Sequence, residues 1–241
     1  MRIAVGTSGY AYKEWKGSFY PADLAADGML RYYGERFGTV EINNTFYRMP
    51  SEKVLLAWAA EVPDNFTFVL KASQKITHRK RLKDAGEEVA YFLRVANVLG
   101  ARLGPTLFQL PPNLKKDLPR LVDFLALVPP TWRAAFEFRH ASWFDDEVFA
   151  ALQGHNAALC VADTDPAGEG DKEALVVPFV ATADWGYLRL RRAGYARPDL
   201  QRWAQQVTSQ SWREAFVFFK HEEAGAGPKL AAEFTGLLPS G

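Results

Sequence analysis

The chain has 241 residues, 48% of them hydrophobic and 24% charged, with 29 Lys and Arg against 28 Asp and Glu. These values describe a globular protein of one domain spanning residues 1–241, and they exclude disordered, fibrous and strongly nucleic-acid-like compositions. A single cysteine, Cys160, excludes zinc fingers, iron–sulfur clusters and an internal disulfide.

Short apolar runs of strand length alternate with amphipathic stretches, the pattern of repeated βα units. In chain order the predicted strands are Ile3–Thr7, Thr39–Asn43, Phe66–Lys71, Thr106–Leu110, Ala134–Phe138, Ala158–Ala162, Tyr187–Leu190 and Ala215–Phe219. Ser51 is placed to cap a helix with Val54, Leu55 and Trp58 on one face, and Val89, Phe92, Leu93, Ala96 and Leu99 mark the next. Asp117 opens another, with Leu121, Leu125 and Val128 as its stripe, and Pro198 suits the first turn of one carrying Leu200, Trp203, Ala204 and Val207. Between Thr164 and Trp185, Gly168, Gly170 and Pro178 break any helical pattern, and Leu238–Gly241 reads as a loose end. Eight strands in this length favour an α/β fold of the (β/α)8 TIM type over an open doubly wound sheet. The first residues are too short an apolar stretch for a signal peptide and no run reaches membrane-span length, so the expectation is a cytoplasmic monomer.

Both architectures place ligands beyond the carboxyl ends of the strands, and there the chain is polar almost throughout. Thr7-Ser8-Gly9, Glu41 with Asn43, Lys71, Gln109, then Glu137 with Arg139 and His140 end the first five strands. Asp163 and Asp165, Arg189 and Arg191, and Lys220 with His221 end the last three. Side chains two apart on a strand share a face, so Glu41 pairs with Asn43, Glu137 with Arg139 and Tyr187 with Arg189. Charges of both signs at one level mark either a salt-bridge network closing the barrel or a pocket for a polar substrate.

Several motifs resemble the domain-of-unknown-function-72, or YecE-like, family. They are Gly6-Thr-Ser-Gly-Tyr10, Trp15-Lys-Gly-Ser-Phe-Tyr-Pro21 and Thr39-Val-Glu-Ile-Asn-Asn-Thr-Phe-Tyr-Arg48, then Lys71-Ala-Ser-Gln-Lys-Ile-Thr-His78 and Leu103-Gly-Pro-Thr-Leu-Phe-Gln-Leu-Pro-Pro112. Phe136-Glu-Phe-Arg-His-Ala-Ser-Trp-Phe144 and Ala162-Asp163 complete the series. The resemblance spans the chain and implies a TIM-type barrel, with no assigned reaction. It fails after the eighth strand, where Lys220-His-Glu-Glu-Ala-Gly225 stands in place of Asn-rich sequence. At fold level the likeness extends to sugar isomerases and endonuclease IV-type enzymes, an analogy only.

From the residues, Glu41, Glu137 and Asp163 are the candidate catalytic groups, with Arg139 orienting them and Glu41 or Asp163 as proton carrier. Ser8, Asn43, Tyr47, Lys71, Lys75, His78, Gln109, Arg139, His140, Tyr187 and Arg189 are the candidate substrate contacts. The expected partner is a small polar or anionic ligand, since Lys75, Arg79, Lys80, Arg81 and Lys83 follow the third strand and Arg191, Arg192 and Arg197 the seventh. No cofactor and no metal are expected, although the three carboxylates leave a single divalent ion open. Gly6–Gly9 reads either as a tight turn or as a phosphate cradle. The alternative function is nucleic-acid binding through basic loops and the aromatics Tyr10, Tyr12, Trp15, Phe19 and Tyr20, which otherwise pack as a lid.

Overall fold

A computed structural model describes residues 1–165 and 175–239. Gly168, Gly170 and the last two residues lie outside the described residues, so the predicted irregular crossover and loose end are addressed there only in part.

All eight predicted strands are present: β1 (Arg2–Ser8), β2 (Thr39–Ile42), β3 (Thr67–Lys71), β4 (Leu103–Gln109), β5 (Ala134–Glu137), β6 (Ala158–Asp163), β7 (Trp185–Leu190) and β8 (Glu214–Phe219). Each pairs in parallel with its neighbours in sequence order, and β1 closes the barrel against β8. The outer layer contains α1 (Met29–Gly34), α2 (Asn44–Tyr47), α3 (Glu52–Glu61), α4 (Gly86–Ala96), α5 (Leu118–Leu125), α6 (Asp146–Gly154), α7 (Arg197–Thr208) and α8 (Ala226–Thr235). The result is the (β/α)8 barrel expected from the alternation.

β4 starts three residues earlier than predicted, at Leu103, and takes in Gly104 and Pro105. The strand tolerates them where its register against β3 shifts, a place at which a missing N–H is least costly. Val54 is a second difference: α3 buries Leu55 and leaves Val54 exposed. The other stripes hold, with Val89, Phe92 and Ala96 of α4, Leu121 and Leu125 of α5, and Leu200, Ala204 and Val207 of α7 buried. Asp117 caps α5 by accepting from the Arg120 N–H at 3.1 Å. Asp117→Ala is expected to lower stability by about 1 kcal/mol in urea titration, the ordinary worth of such a cap.

Two apolar faces per strand sort by parity. Val69, Leu107, Ala135, Cys160, Tyr187 and Phe216 fill the barrel, whereas Val161, Leu188 and Val217 face α7 and α8 together with Leu200, Val207 and Phe234. At the amino-terminal end of the barrel Glu214 pairs with Arg2 at 2.9 Å and with Arg133. The apolar filling ends upward at the level of Ser8, Glu41, Lys71, Gln109, Glu137 and Arg189, all buried.

The aromatic segment after β1 folds onto the barrel wall. Trp15 and Tyr20 are buried and stacked, with ring centroids 6.0 Å apart, and Phe19 packs edge-on against Tyr32 and Tyr33. Trp15 and Tyr20 are core, and Phe19 is half-buried against them. Trp143 is likewise buried, stacked 4.7 Å from Phe138 and donating to the Leu114 carbonyl at 2.7 Å.

Candidate functional site

The strand ends assemble a connected polar ring. Glu41 of β2 and Glu137 of β5 face each other across the barrel, and Arg189 of β7 reaches between them. Its Nη2 and Nε donate to Glu41 Oε1 at 2.8 and 3.2 Å, and its Nη1 donates to Glu137 Oε2 at 2.5 Å. Ser8 Oγ donates to Glu41 Oε1 and Tyr187 OH to Glu41 Oε2, each at 2.5 Å. Asn43 stands at 3.4 Å from the same carboxylate. Gln109 Nε2 donates to Glu137 Oε1 at 2.8 Å while its Oε1 accepts from Lys71 Nζ at 2.7 Å. Arg139 and Arg191 approach Glu137 Oε1 at 3.8 and 3.7 Å.

Burial sets the electrostatics. Loss of water alone would raise both glutamates, but Arg189 beside them, with hydrogen bonds from Ser8 and Tyr187 to Glu41 and from Gln109 to Glu137, holds both carboxyls below the usual range. Burial, then the neighbouring Glu41 carboxylate, pushes the Tyr187 phenol far up, so it stays a donor. Lys71 moves the other way: burial and the nearby Arg189 lower its amine to about 8 against the pull of Glu137 and Glu41. His78 is lowered by burial and then by Lys71 and Arg139, and is neutral near pH 7.

The remaining predicted residues divide. His78 sits beside the ring, edge-on to Phe46 at 4.9 Å, with Lys71 Nζ 4.2 Å from the Phe46 centroid. His140 serves its own loop, with Nδ1 2.9 Å from Ser142 Oγ and accepting from the Ser142 N–H. Tyr47 is exposed and Lys75 is exposed, and both line a lateral groove with Glu87, Glu88 and Tyr91 rather than the mouth. Asp163 is not brought to Glu41 and Glu137. It shares the outward parity of Val161, accepts from Tyr195 OH at 3.0 Å and Trp203 Nε1 at 3.2 Å, and pairs with Arg192 at 3.2 Å. The carboxylate triad for a divalent ion is therefore not assembled, and among the described residues no group of three or more His, Cys, Asp or Glu is placed to hold a metal.

The phosphate-cradle reading of Gly6–Gly9 also fails. Gly6, Thr7 and Ser8 belong to β1, the Thr7 N–H donates to Tyr33 OH at 2.9 Å, and the Gly9 N–H donates to the Glu41 carbonyl at 2.8 Å. These amides already have partners. Two residues read at the strand ends but left off the candidate contacts belong to the mouth: Arg191, two beyond Arg189 on the same face, and Lys220, two beyond Phe218, which lies close enough to lower Lys71. Extending each inward row by one step past its strand finds both. They line one cavity of about 390 Å³ with Asp165, His221 and Glu222.

A closed barrel of eight parallel strands with a buried, charged carboxyl-end ring defines a TIM-type barrel with a polar mouth. Residues 4–240 match the family described as Protein of unknown function DUF72, and the chain belongs to that family. It is 26% identical to UPF0759 protein YunF of Bacillus subtilis over 98% of both chains. Similarity to UPF0759 protein YecE of Escherichia coli is 33% identity over 48% of this chain and 43% of the relative, so the match spans less than half of that protein. Among solved structures, a DUF72 family protein from Thermotoga maritima superposes with a TM-score of 0.86 at 27% identity, covering 98% of this chain and 99% of the other. A DUF72 family protein from Enterococcus faecalis, at 18% identity and a TM-score of 0.77 over 98% and 97% of the chains, shares the fold. No described helix is long and apolar enough to cross a membrane.

Proposed function

We propose that the mouth binds a small anionic metabolite and that the protein is an enzyme acting on it by proton transfer. The observation that carries this reading is the make-up of the ring: Arg189 bridges Glu41 and Glu137, Arg139 and Arg191 approach Glu137, and Lys71 lies beside them with Lys220 near enough to act on it. Guanidinium and ammonium groups gathered at the end of a barrel where ligands bind suit an anion. The carboxylates have the wrong protonation behaviour for acids or for bases tuned near neutrality. Held ionised, Glu41 and Glu137 position Arg189 and Gln109, and proton transfer falls to His78, which shares the Phe46 ring with Lys71.

Binding to nucleic acid is less well supported. Of the aromatics after β1, Trp15 and Tyr20 are buried and Tyr10, Tyr12 and Phe19 are partly buried against them, and Lys80 of the basic loop is paired with Glu88 at 2.7 Å.

Inorganic phosphate or sulfate is expected to raise the melting temperature saturably. Arg139→Ala with Arg191→Ala should abolish the response, while Lys75→Ala and Asp163→Asn, altered outside the mouth, should keep it. An unaltered response in the double arginine variant would place the anion elsewhere and remove the basis for the proposal.

A further inference from the structure

Lys71 stands apart from every other buried charge of the mouth. Arg189 has two carboxylate partners, and each glutamate has a guanidinium. Lys71 Nζ has an amide oxygen, Gln109 Oε1 at 2.7 Å, and the face of Phe46 at 4.2 Å. No carboxylate among the described residues lies within ion-pairing distance of it. The reason is Gln109, inserted between Lys71 and Glu137 and bonded to both. A lysine kept for barrel stability would be expected to touch Glu137 directly, because an unpaired ammonium at this depth is costly. At 9% exposure Lys71 is nevertheless reached by solvent, as is Gln109 at 8%, whereas Glu41 and Glu137 beneath are at 0%. Lys71 is thus an amine at the carboxyl end of the barrel that solvent reaches and that no carboxylate among the described residues pairs.

We propose that Lys71 condenses through its amine with the carbonyl carbon of a small aldehyde or ketone that also carries an anionic group. The reading rests on the mouth being an anion site, with Arg139, Arg191 and Lys220 taking the anionic group. In the step, the neutral Nζ attacks the carbonyl carbon and a C–N bond forms as the C=O π pair moves to oxygen. The two amine hydrogens then leave with that oxygen as water, and the product is an imine, so no oxidant or reductant takes part. The groups facing Lys71 set the supply of neutral amine: Arg189 and Lys220 favour it, Glu41 and Glu137 oppose it, and burial adds to the first pair. With the amine near 8, an appreciable neutral fraction exists at physiological pH. His78, beside Phe46, lacks the two hydrogens on one nitrogen that imine formation removes, so it cannot give the same product.

The test uses the whole protein with glyoxylate, a small aldehyde bearing a carboxylate, in the presence of cyanoborohydride, followed by peptide mapping. The expected result is saturable carboxymethylation concentrated at Lys71, slowed by inorganic phosphate, with acetaldehyde needing about tenfold more reagent for equal labelling at that residue. Gln109→Glu, which sets a carboxylate against the amine, should move labelling to higher pH. Labelling spread evenly over exposed lysines such as Lys75, with Lys71 unmodified, overturns the proposal. If phosphate still raises the melting temperature in that case, the anion site stands and the amine assignment alone falls. If Lys71 is labelled equally well by acetaldehyde and phosphate has no effect, the reactive amine stands and the anion site falls.

Discussion

Arg189→Ala is expected to cost about 3–5 kcal/mol in urea unfolding at neutral pH, the usual result of removing one partner from a buried charge network. The variant leaves Glu41 and Glu137, both at 0% exposure, without the guanidinium that bridges them. The pH dependence tests the mechanism separately from the size. In the wild type both carboxyls are held below their unfolded values, so their contribution is fully present above about pH 4.3 and declines as pH falls through the folded range. Without Arg189, burial dominates and lifts them, so the variant's penalty is greatest at neutral pH and recedes on acidification. The gap between the two proteins should therefore narrow between about pH 7 and pH 4.5. Replacing all three residues together, with Glu41→Gln, Glu137→Gln and Arg189→Met, should recover a large part of the loss because no charge is then left unpaired. An Arg189→Ala protein within about 1 kcal/mol of wild type, or a gap that stays constant with pH, contradicts the network reading.

The same network shows what the chain discloses by itself. Period and composition were enough for all eight strands, most within one residue, because each is a short apolar run between polar segments. Parity was not legible. In a barrel both faces of a strand are apolar, so Cys160 and Val161 look equivalent although one fills the barrel and the other meets α7. Asp163 was assigned to the mouth for that reason, and its true partners, Tyr195, Trp203 and Arg192, come from the following loop and helix. Strand-end polarity did identify Ser8, Glu41, Lys71, Gln109, Glu137, Tyr187 and Arg189, which the fold joins into one hydrogen-bonded chain. Who pairs with whom was hidden. Neighbours along one row suggested Arg139 as the partner of Glu137, whereas the closest guanidinium is that of Arg189, carried from β7 across the barrel. That contact depends on closure of the sheet, which no local spacing encodes.

Gly6→Ala should be the most damaging single methyl addition in β1. A Cβ at this position would lie 2.2 Å from the Thr39 carbonyl oxygen and 3.0 Å from Tyr33 OH. The first obstacle is backbone, so no rotamer change relieves it and β1 must separate from β2. The second is a fixed group, because Tyr33 OH donates to that same carbonyl at 3.0 Å and accepts from the Thr7 N–H at 2.9 Å. Overpacking ordinarily costs about 1–3 kcal/mol, and a clash with two held groups belongs at or beyond the top of that range. Gly154→Ala is the control, since it lies in α6 with nothing within 4 Å of an added Cβ. It should be neutral or stabilise by up to about 1 kcal/mol through helix propensity. The consequence for the site follows from register: Ser8 pairs with Glu41 in the β1–β2 ladder, and widening that ladder draws the Ser8 hydroxyl from the carboxylate. Any Gly6→Ala protein that folds should thus also respond less to phosphate. A Gly6→Ala variant that unfolds with wild-type stability and keeps its phosphate response would show that the two strands can part without disturbing the ring.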